Sequence, residues 1–291
     1  MNRIDVESRT TVFFFLLMSL LLIPSVSTAQ VGYNPELLGN AAAAPRPGFS
    51  PKIFFDYFNQ NSISGNDVEI AIEPQYWIRG FTGDKQKDYI QFLAHIPFGY
   101  RTVDDNNLTN TGFGLGMINV NVEHFWDISE NKDFVWWFDN GVSVGLPTAF
   151  GKNDLRIGGN SYAITWFQEN FIRNGKWLFS LSPIAVSYAF KDSNNKTTPG
   201  LSLNILNSAV GYQILDSFAL GVTTAYQLGN IIGTNDGSGG TLNCTQRLYV
   251  GPATSISLEN DSSIQISVMV DVLAKNVVRG QGVAFAFWHM F

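Results

Sequence analysis

Three histidines (His95, His124, His289) and one cysteine (Cys244) are the residues best suited to metal or nucleophile chemistry, and their spacing supports neither. No His-x-x-x-His or Cys-x-x-Cys pair occurs, so no zinc site is defined and no cofactor is expected. No Gly-x-Ser-x-Gly elbow is present. Gly114-Leu115-Gly116 lacks the third glycine of a dinucleotide fingerprint and opens a strand pattern rather than a helix. Glu123 adjoins His124, but the nearest serine after it is Ser129, in a turn, which is poor geometry for an acylating serine. No catalytic residue is assigned. What remains is a scattered set of charged residues: Glu69, Glu73, Arg79, His95, Arg101, Glu123 and Asp139. Groups of both signs on one wall either polarise a path or lock into an internal salt-bridge network, and their positions leave both readings open.

Those charges sit inside alternating stretches. In Val68–Arg79, Val68, Ile70, Ile72, Pro74, Tyr76 and Ile78 share one face, and Glu69, Ala71, Glu73, Gln75, Trp77 and Arg79 share the other. In Asp88–Arg101, Ile90, Phe92, Ala94, Ile96, Phe98 and Tyr100 oppose Gln91, Leu93, His95, Pro97, Gly99 and Arg101. Period-two alternation is the signature of a strand with one apolar and one polar face. It recurs through Ile118–Glu123, Ile264–Val272 and Val283–Phe291. Strands are predicted near 50–59, 68–81, 88–101, 114–126, 134–147, 161–173, 177–190, 201–215, 218–228, 241–258, 263–273 and 282–291, twelve in all. Most exceed the five or six residues of ordinary sheets and match the 9–11 or so that a tilted strand needs to cross a bilayer.

Composition narrows the class. The chain has 291 residues, 45% apolar and only 14% charged, with 23 Phe, 10 Tyr and 7 Trp. Ordinary soluble domains carry about 25% charged residues. High aromatic content and a net charge of −6 argue against disorder. An acidic chain lacks the cationic excess that binding to nucleic acid needs, so no nucleic-acid partner is expected. One cysteine excludes an intrachain disulfide framework.

The first residues read as an export signal. Arg3 and Arg9 precede the apolar run Val12–Ile23, and Ser27-Thr28-Ala29 fits a signal-peptidase site. Twelve residues make about 18 Å of helix, too short to span a membrane. Residues 1–29 are therefore expected to be cleaved. Residues 30–49, with Asn34-Pro35, Ala41–Ala44 and Pro45-Arg46-Pro47, form either a periplasmic tail or an inserted plug, and 50–291 form the main domain.

Connections between the predicted strands alternate. Gln60–Asp67, Thr102–Phe113, Thr148–Asn160, Lys191–Gly200, Gly229–Gly240 and Ala274–Gln281 are long, and the intervening ones are short. Long loops at one end and short turns at the other are typical of outer-membrane barrels. Backbone groups in lipid have no water to pair with, so such a sheet must close. The fold expected is an all-β, transmembrane, antiparallel up-and-down β-barrel of about 12 strands, apolar outside and polar within. The charged set above would line its lumen together with Trp77, Leu93, Phe125 and Trp137. Tyr57, Trp77, Phe81, Tyr89, Tyr100, Trp126, Trp177, Tyr188, Phe190 and Trp288 are expected in interfacial girdles. A soluble β-sandwich or lipocalin-like barrel is the bland alternative, with its apolar face turned inward. Phe291, preceded by apolar residues at every second position, resembles the terminal signal read by barrel-assembly machinery, although His289 departs from it.

Gly112–Trp126 (GFGLGMINVNVEHFW) resembles the Gly-x-Gly strand opening of outer-membrane channels grouped as transporters of the MetA pathway of phenol degradation. Leu146-Pro147-Thr148 is similar to that family's Leu-Pro-Thr-Gly strand end, and Leu155–Tyr162 follows as a glycine-rich stretch. Met117 stands where the family often has Asp, and Ala149 where it has Gly. The resemblance implies an outer-membrane location in a Gram-negative bacterium and passive transport of small hydrophobic or aromatic compounds, with membrane lipid as the surrounding partner. A non-conducting structural or adhesive barrel, and an outer-membrane phospholipase of similar length, are the alternatives.

Overall fold

The computed structural model describes residues 47–60, 65–81, 87–105, 108–131, 133–149, 162–190, 200–229, 231, 245–258, 262–276 and 279–289. The expected signal peptide, nearly all of the expected tail or plug, and Phe291 lie outside these residues. The described chain is β-strand throughout: β1 (Gly48–Gln60), β2 (Gly65–Arg79), β3 (Asp88–Asp105), β4 (Leu108–Leu115), β5 (Ile118–Asp127), β6 (Phe134–Leu146), β7 (Ala163–Asn174), β8 (Trp177–Ala189), β9 (Gly200–Leu215), β10 (Phe218–Gly229), β11 (Thr245–Leu258), β12 (Ser262–Lys275) and β13 (Gly280–His289). Every pairing is antiparallel. β1 pairs with β13 on one side and β2 on the other, and the β2–β3 pairing seals the ring. β4 and β5 both pair with β3 and succeed each other along one stave, broken at Gly116-Met117. The result is a closed twelve-stave barrel with no free sheet edge, the condition for crossing lipid.

The expected alternation of connection lengths holds only in part. At the end expected to carry long loops (the loop end), 147–162, 190–199 and 230–244 are long. The other three links there, 61–64, 106–107 and 276–279, are shorter than the 80–87 link at the opposite, turn end. Ladder pairing continues to Gln60↔Gly65 and Asp105↔Leu108, so much of the predicted loop at these two links is strand. At the turn end, Asn174-Gly175-Lys176 reverses the chain in two residues. Gly175 sits at φ 58°, a left-handed backbone that disfavours side chains.

Burial identifies the faces. Along β2, Ile70, Ile72 and Tyr76 are 47, 46 and 54% exposed, while Ala71, Glu73 and Trp77 between them are 0, 9 and 4%. Along β12, Val268, Val270 and Val272 are exposed, and Gln265, Ser267, Met269 and Asp271 are buried. A soluble protein would bury the valines and isoleucines. Here they cover the outside, and carboxylates, amides and hydroxyls face in, so the alternatives with an apolar core inside a soluble shell are excluded. Part of the interior is apolar. Phe54, Ala71, Ala225, Tyr249, Met269, Ala284 and Ala286 form one inward-facing apolar cluster. Trp137, Phe171, Leu178, Ala209, Ala219 and Ala253, with Val135 against them, form a second.

Candidate functional site

Three adjacent strands build a charged wall. Lys52 on β1 and Glu73 on β2 are register partners, and Lys52 Nζ lies 3.7 Å from Glu73 Oε2. His95 on β3 reaches both carboxylates of the β2 lumen face: its Nδ1 is 2.8 Å from Glu73 Oε1, and its Nε2 is 3.3 Å from Glu69 Oε1. Phe54 touches both Lys52 and His95, with Lys52 Nζ 4.3 Å above its ring and the His95 ring edge-on to it at 6.5 Å. Two residues further along the lumen face of β1, Asp56 pairs in register with Glu69. Side-chain exposure falls from 28% at Glu69 and 25% at His95 to 11% at Glu73 and 10% at Lys52. Exposure on this wall thus decreases away from the loop end.

The strand period explains why these residues meet. Side chains two apart on a strand share a face, and neighbouring strands stand about 4.8 Å apart. Glu69 and Glu73 thus flank Ala71, whose missing bulk admits Phe54 from β1.

The other residues expected in the lumen are dispersed. Glu123 is buried on β5 and accepts a hydrogen bond from Asn121 Nδ2 at 3.2 Å. Asp139, register partner of Phe125, is 2% exposed on β6. Trp77 packs on Phe125 with ring centroids 4.8 Å apart, and Trp137 on Phe171 at 5.6 Å. Leu93 is half-buried. Arg79 is exposed at the turn end, and Arg101 is half-buried toward the loop end. Sequence reasoning missed Lys52, Asp56, the hydrogen bond that Gln91 Nε2 donates to Gln75 Oε1 at 2.8 Å and the Arg247–Asp271 ion pair of 3.3 Å. The signal was present in β1, where Ser50, Lys52, Phe54 and Asp56 alternate with Ile53, Phe55 and Tyr57.

Two expected girdle residues face inward instead. Trp77 is 4% exposed. Trp288 is 7% exposed and donates its indole N–H to Ser50 Oγ at 2.6 Å. Period two decides this: Trp288 follows Ala284 and Ala286, both inward, so His289 turns outward. Phe81, Tyr100, Trp177 and Phe190 do stand exposed near strand ends.

Outward-facing polar contacts lie at the turn end. The Glu123–His124 pairing suggested by adjacency does not form, since adjacent strand residues point to opposite faces. His124 instead contacts the Asp88 carboxylate and stacks on Trp126. Ser129 Oγ accepts from the Trp136 amide at 3.1 Å rather than meeting His124. A serine–histidine contact does exist between neighbouring strands, with Ser262 Oγ 2.7 Å from His289 Nδ1. Among the described residues no group of three or more His, Cys, Asp or Glu could hold a metal.

No family model matches the chain, and no curated protein matches it. Solved structures do. The crystal structure of an outer membrane channel from Pseudomonas putida F1 superposes with a TM-score of 0.68 at 11% identity, covering 89% of this chain and 100% of that one. The transport unit of the autotransporter AIDA-I from Escherichia coli gives 0.49 at 10% identity, covering 89% and 100%. The outer membrane phospholipase of Salmonella typhi gives 0.41 at 9%, covering 87% and 96%. The first of these shows the fold shared: a closed antiparallel barrel of the outer-membrane type.

Proposed function

We propose that this chain is exported to the outer membrane of a Gram-negative bacterium, is inserted by the barrel-assembly machinery, and acts there as a passive channel for small hydrophobic or aromatic compounds. The observation that carries this is the inverted barrel: a closed sheet with apolar residues outside and the Lys52–Glu73–His95–Glu69 network within. The inward aromatic pairs Trp77–Phe125 and Trp137–Phe171 favour ring-bearing or otherwise apolar solutes. The resemblance of Gly112–Trp126 and Leu146-Pro147-Thr148 to transporters of the MetA pathway points the same way.

The test is permeability of reconstituted protein, by ion current in planar bilayers and by solute flux in liposomes. Wild type and Glu73→Ala both impermeable to every solute would remove the channel and leave the structural or adhesive barrel. The hydrolase reading has one observation on its side, the Ser262–His289 contact at the lipid boundary. Phospholipid hydrolysis lost in Ser262→Ala, or in His124→Ala, would establish it.

A further inference from the structure

Asp56, Ser263, Gln265 and Ser267 carry five buried polar atoms on one side of the lumen that have no hydrogen-bond partner among the described residues. They are Asp56 Oδ1, the Ser263 and Ser267 hydroxyl oxygens, and both ends of the Gln265 amide. Ser263 is 1% exposed, and Gln265 and Ser267 are 0%. Register makes them neighbours. Ala284 on β13 pairs with Asp56 on one side and Ser267 on the other, and Ala286 pairs with Phe54 and Gln265. With strands about 4.8 Å apart, Asp56 and Ser267 face each other across about 10 Å, with only alanine methyls between them. This is a dent with an apolar floor and polar walls. Tyr249 and Met269, both 0% exposed, pack in the same cluster as Phe54, Ala284 and Ala286. Buried donors and acceptors without partners are destabilising, so a wall holding five of them is matched to something that pairs with them.

We propose that this dent binds a small amphipathic solute through an uncharged or cationic head: an alcohol, amide or amine. The head pairs with Asp56, Ser267 and Gln265, and the apolar body lies on Ala284, Ala286 and Phe54, displacing Met269 and Tyr249. Glu69 and Glu73 are engaged by His95 and Lys52, which leaves the Asp56 carboxyl, with an oxygen that has no partner among the described residues, to disfavour a carboxylate head. The inference rests on the channel reading and names the solute class.

The test uses the full chain folded in detergent, titrated by calorimetry with three probes of one skeleton: benzyl alcohol, benzylamine and benzoate. Benzyl alcohol and benzylamine are expected to bind at least about tenfold more tightly than benzoate. Gln265→Leu should weaken both, and Asp56→Asn should weaken benzylamine more than benzyl alcohol. Heat-modifiable gel mobility reports folding, and Ser267→Ala replaces Gln265→Leu if the latter does not fold. Equal binding of all three probes, no binding, or wild-type affinity in the folded variants overturns the site. Ion current through Met269→Ala, compared with wild type, tests the channel separately. Probe binding without current in either protein keeps the site and removes the channel; current without probe binding does the reverse.

Discussion

The Thr148 hydroxyl donates to the Gly116 carbonyl at 2.9 Å and accepts from the Ile118 amide at 2.8 Å. It thereby joins the two halves of the stave that breaks between β4 and β5. Gly116 N–H in turn donates to the Pro97 carbonyl at 2.8 Å. The strand-opening glycines and the Leu146-Pro147-Thr148 strand end, far apart in sequence, are thus one local device. Thr148→Val keeps the shape and removes both bonds. A loss of about 1–3 kcal/mol is expected in denaturant unfolding followed by tryptophan fluorescence, with Thr148→Ser close to wild type. Equal stability of the valine and serine variants would show that the bridge contributes nothing.

That device also shows how far the sequence could be read. Alternation in Val68–Arg79 and Asp88–Arg101 placed Glu69, Glu73 and His95 on inward faces, because period two needs only the order of residues. It could not show that His95 reaches across to both glutamates, since register between strands depends on where each hairpin turns. Lys52 was legible in β1 but stood outside the charged set because its stretch begins with the ambiguous Ser50-Pro51. Trp288 was misassigned to a girdle because aromatic residues near chain ends suit both an interface and a packed lumen. Twelve strands imply a lumen that is narrow, plugged or both, but not which side chains meet across it. Alternation says which side chains turn inward, and only the barrel's cross-section decides whether they leave room.

Gly141 on β6 faces the lumen, and a Cβ there would lie 2.2 Å from the Phe167 ring of β7. The ring occupies the space that a side chain would need. Gly141→Val forces that ring aside and should cost about 1–3 kcal/mol as an overpacking change. The double variant Gly141→Val, Phe167→Ala should cost less than the sum of its single changes in the same unfolding assay. Strict additivity would mean that the two sites do not compete for one volume.

Val222 is 51% exposed, and its neighbour Thr223 is 0%. If Val222 meets lipid, an arginine there is costly, by about 2–4 kcal/mol near the bilayer midplane. Val222→Arg should therefore fold less completely into liposomes than Val222→Leu, judged by heat-modifiable mobility. Comparable folding of the two variants would place β10 with its valine face in water.

Gln265 buries an amide whose two ends meet no protein partner, so the interior tolerates it at a cost. Gln265→Leu replaces that amide with an apolar group of similar length among Phe54, Ala284 and Ala286. A gain of about 1 kcal/mol in unfolding free energy is expected, because an unpaired buried polar group is worse than none. Stability gained while probe affinity falls would mark Gln265 as a residue kept for binding. A loss of stability would mean that the amide has partners which the packing conceals.

The inner wall carries six acids (Asp56, Glu69, Glu73, Glu123, Asp139 and Asp271) against four basic residues (Lys52, His95, Arg101 and Arg247). Any ion path along it should therefore prefer cations, as focused fields of one sign do. Glu73 is the pivot, since it holds Lys52 at 3.7 Å and His95 at 2.8 Å. Glu73→Gln keeps the shape and leaves the Lys52 charge uncompensated. The reversal potential in a potassium chloride gradient should then move toward the value for no selectivity. Lys52→Met should move it the other way. Either single change breaks a buried pair, which typically costs about 3–5 kcal/mol, so both variants should also unfold more easily. The double variant, with neither charge left buried alone, should recover part of that loss and return selectivity near wild type. Opposite shifts from Glu73→Gln and Lys52→Met would show that ions pass this wall. Unchanged potentials in both, with conductance intact, would route the current elsewhere and leave the network a purely structural brace.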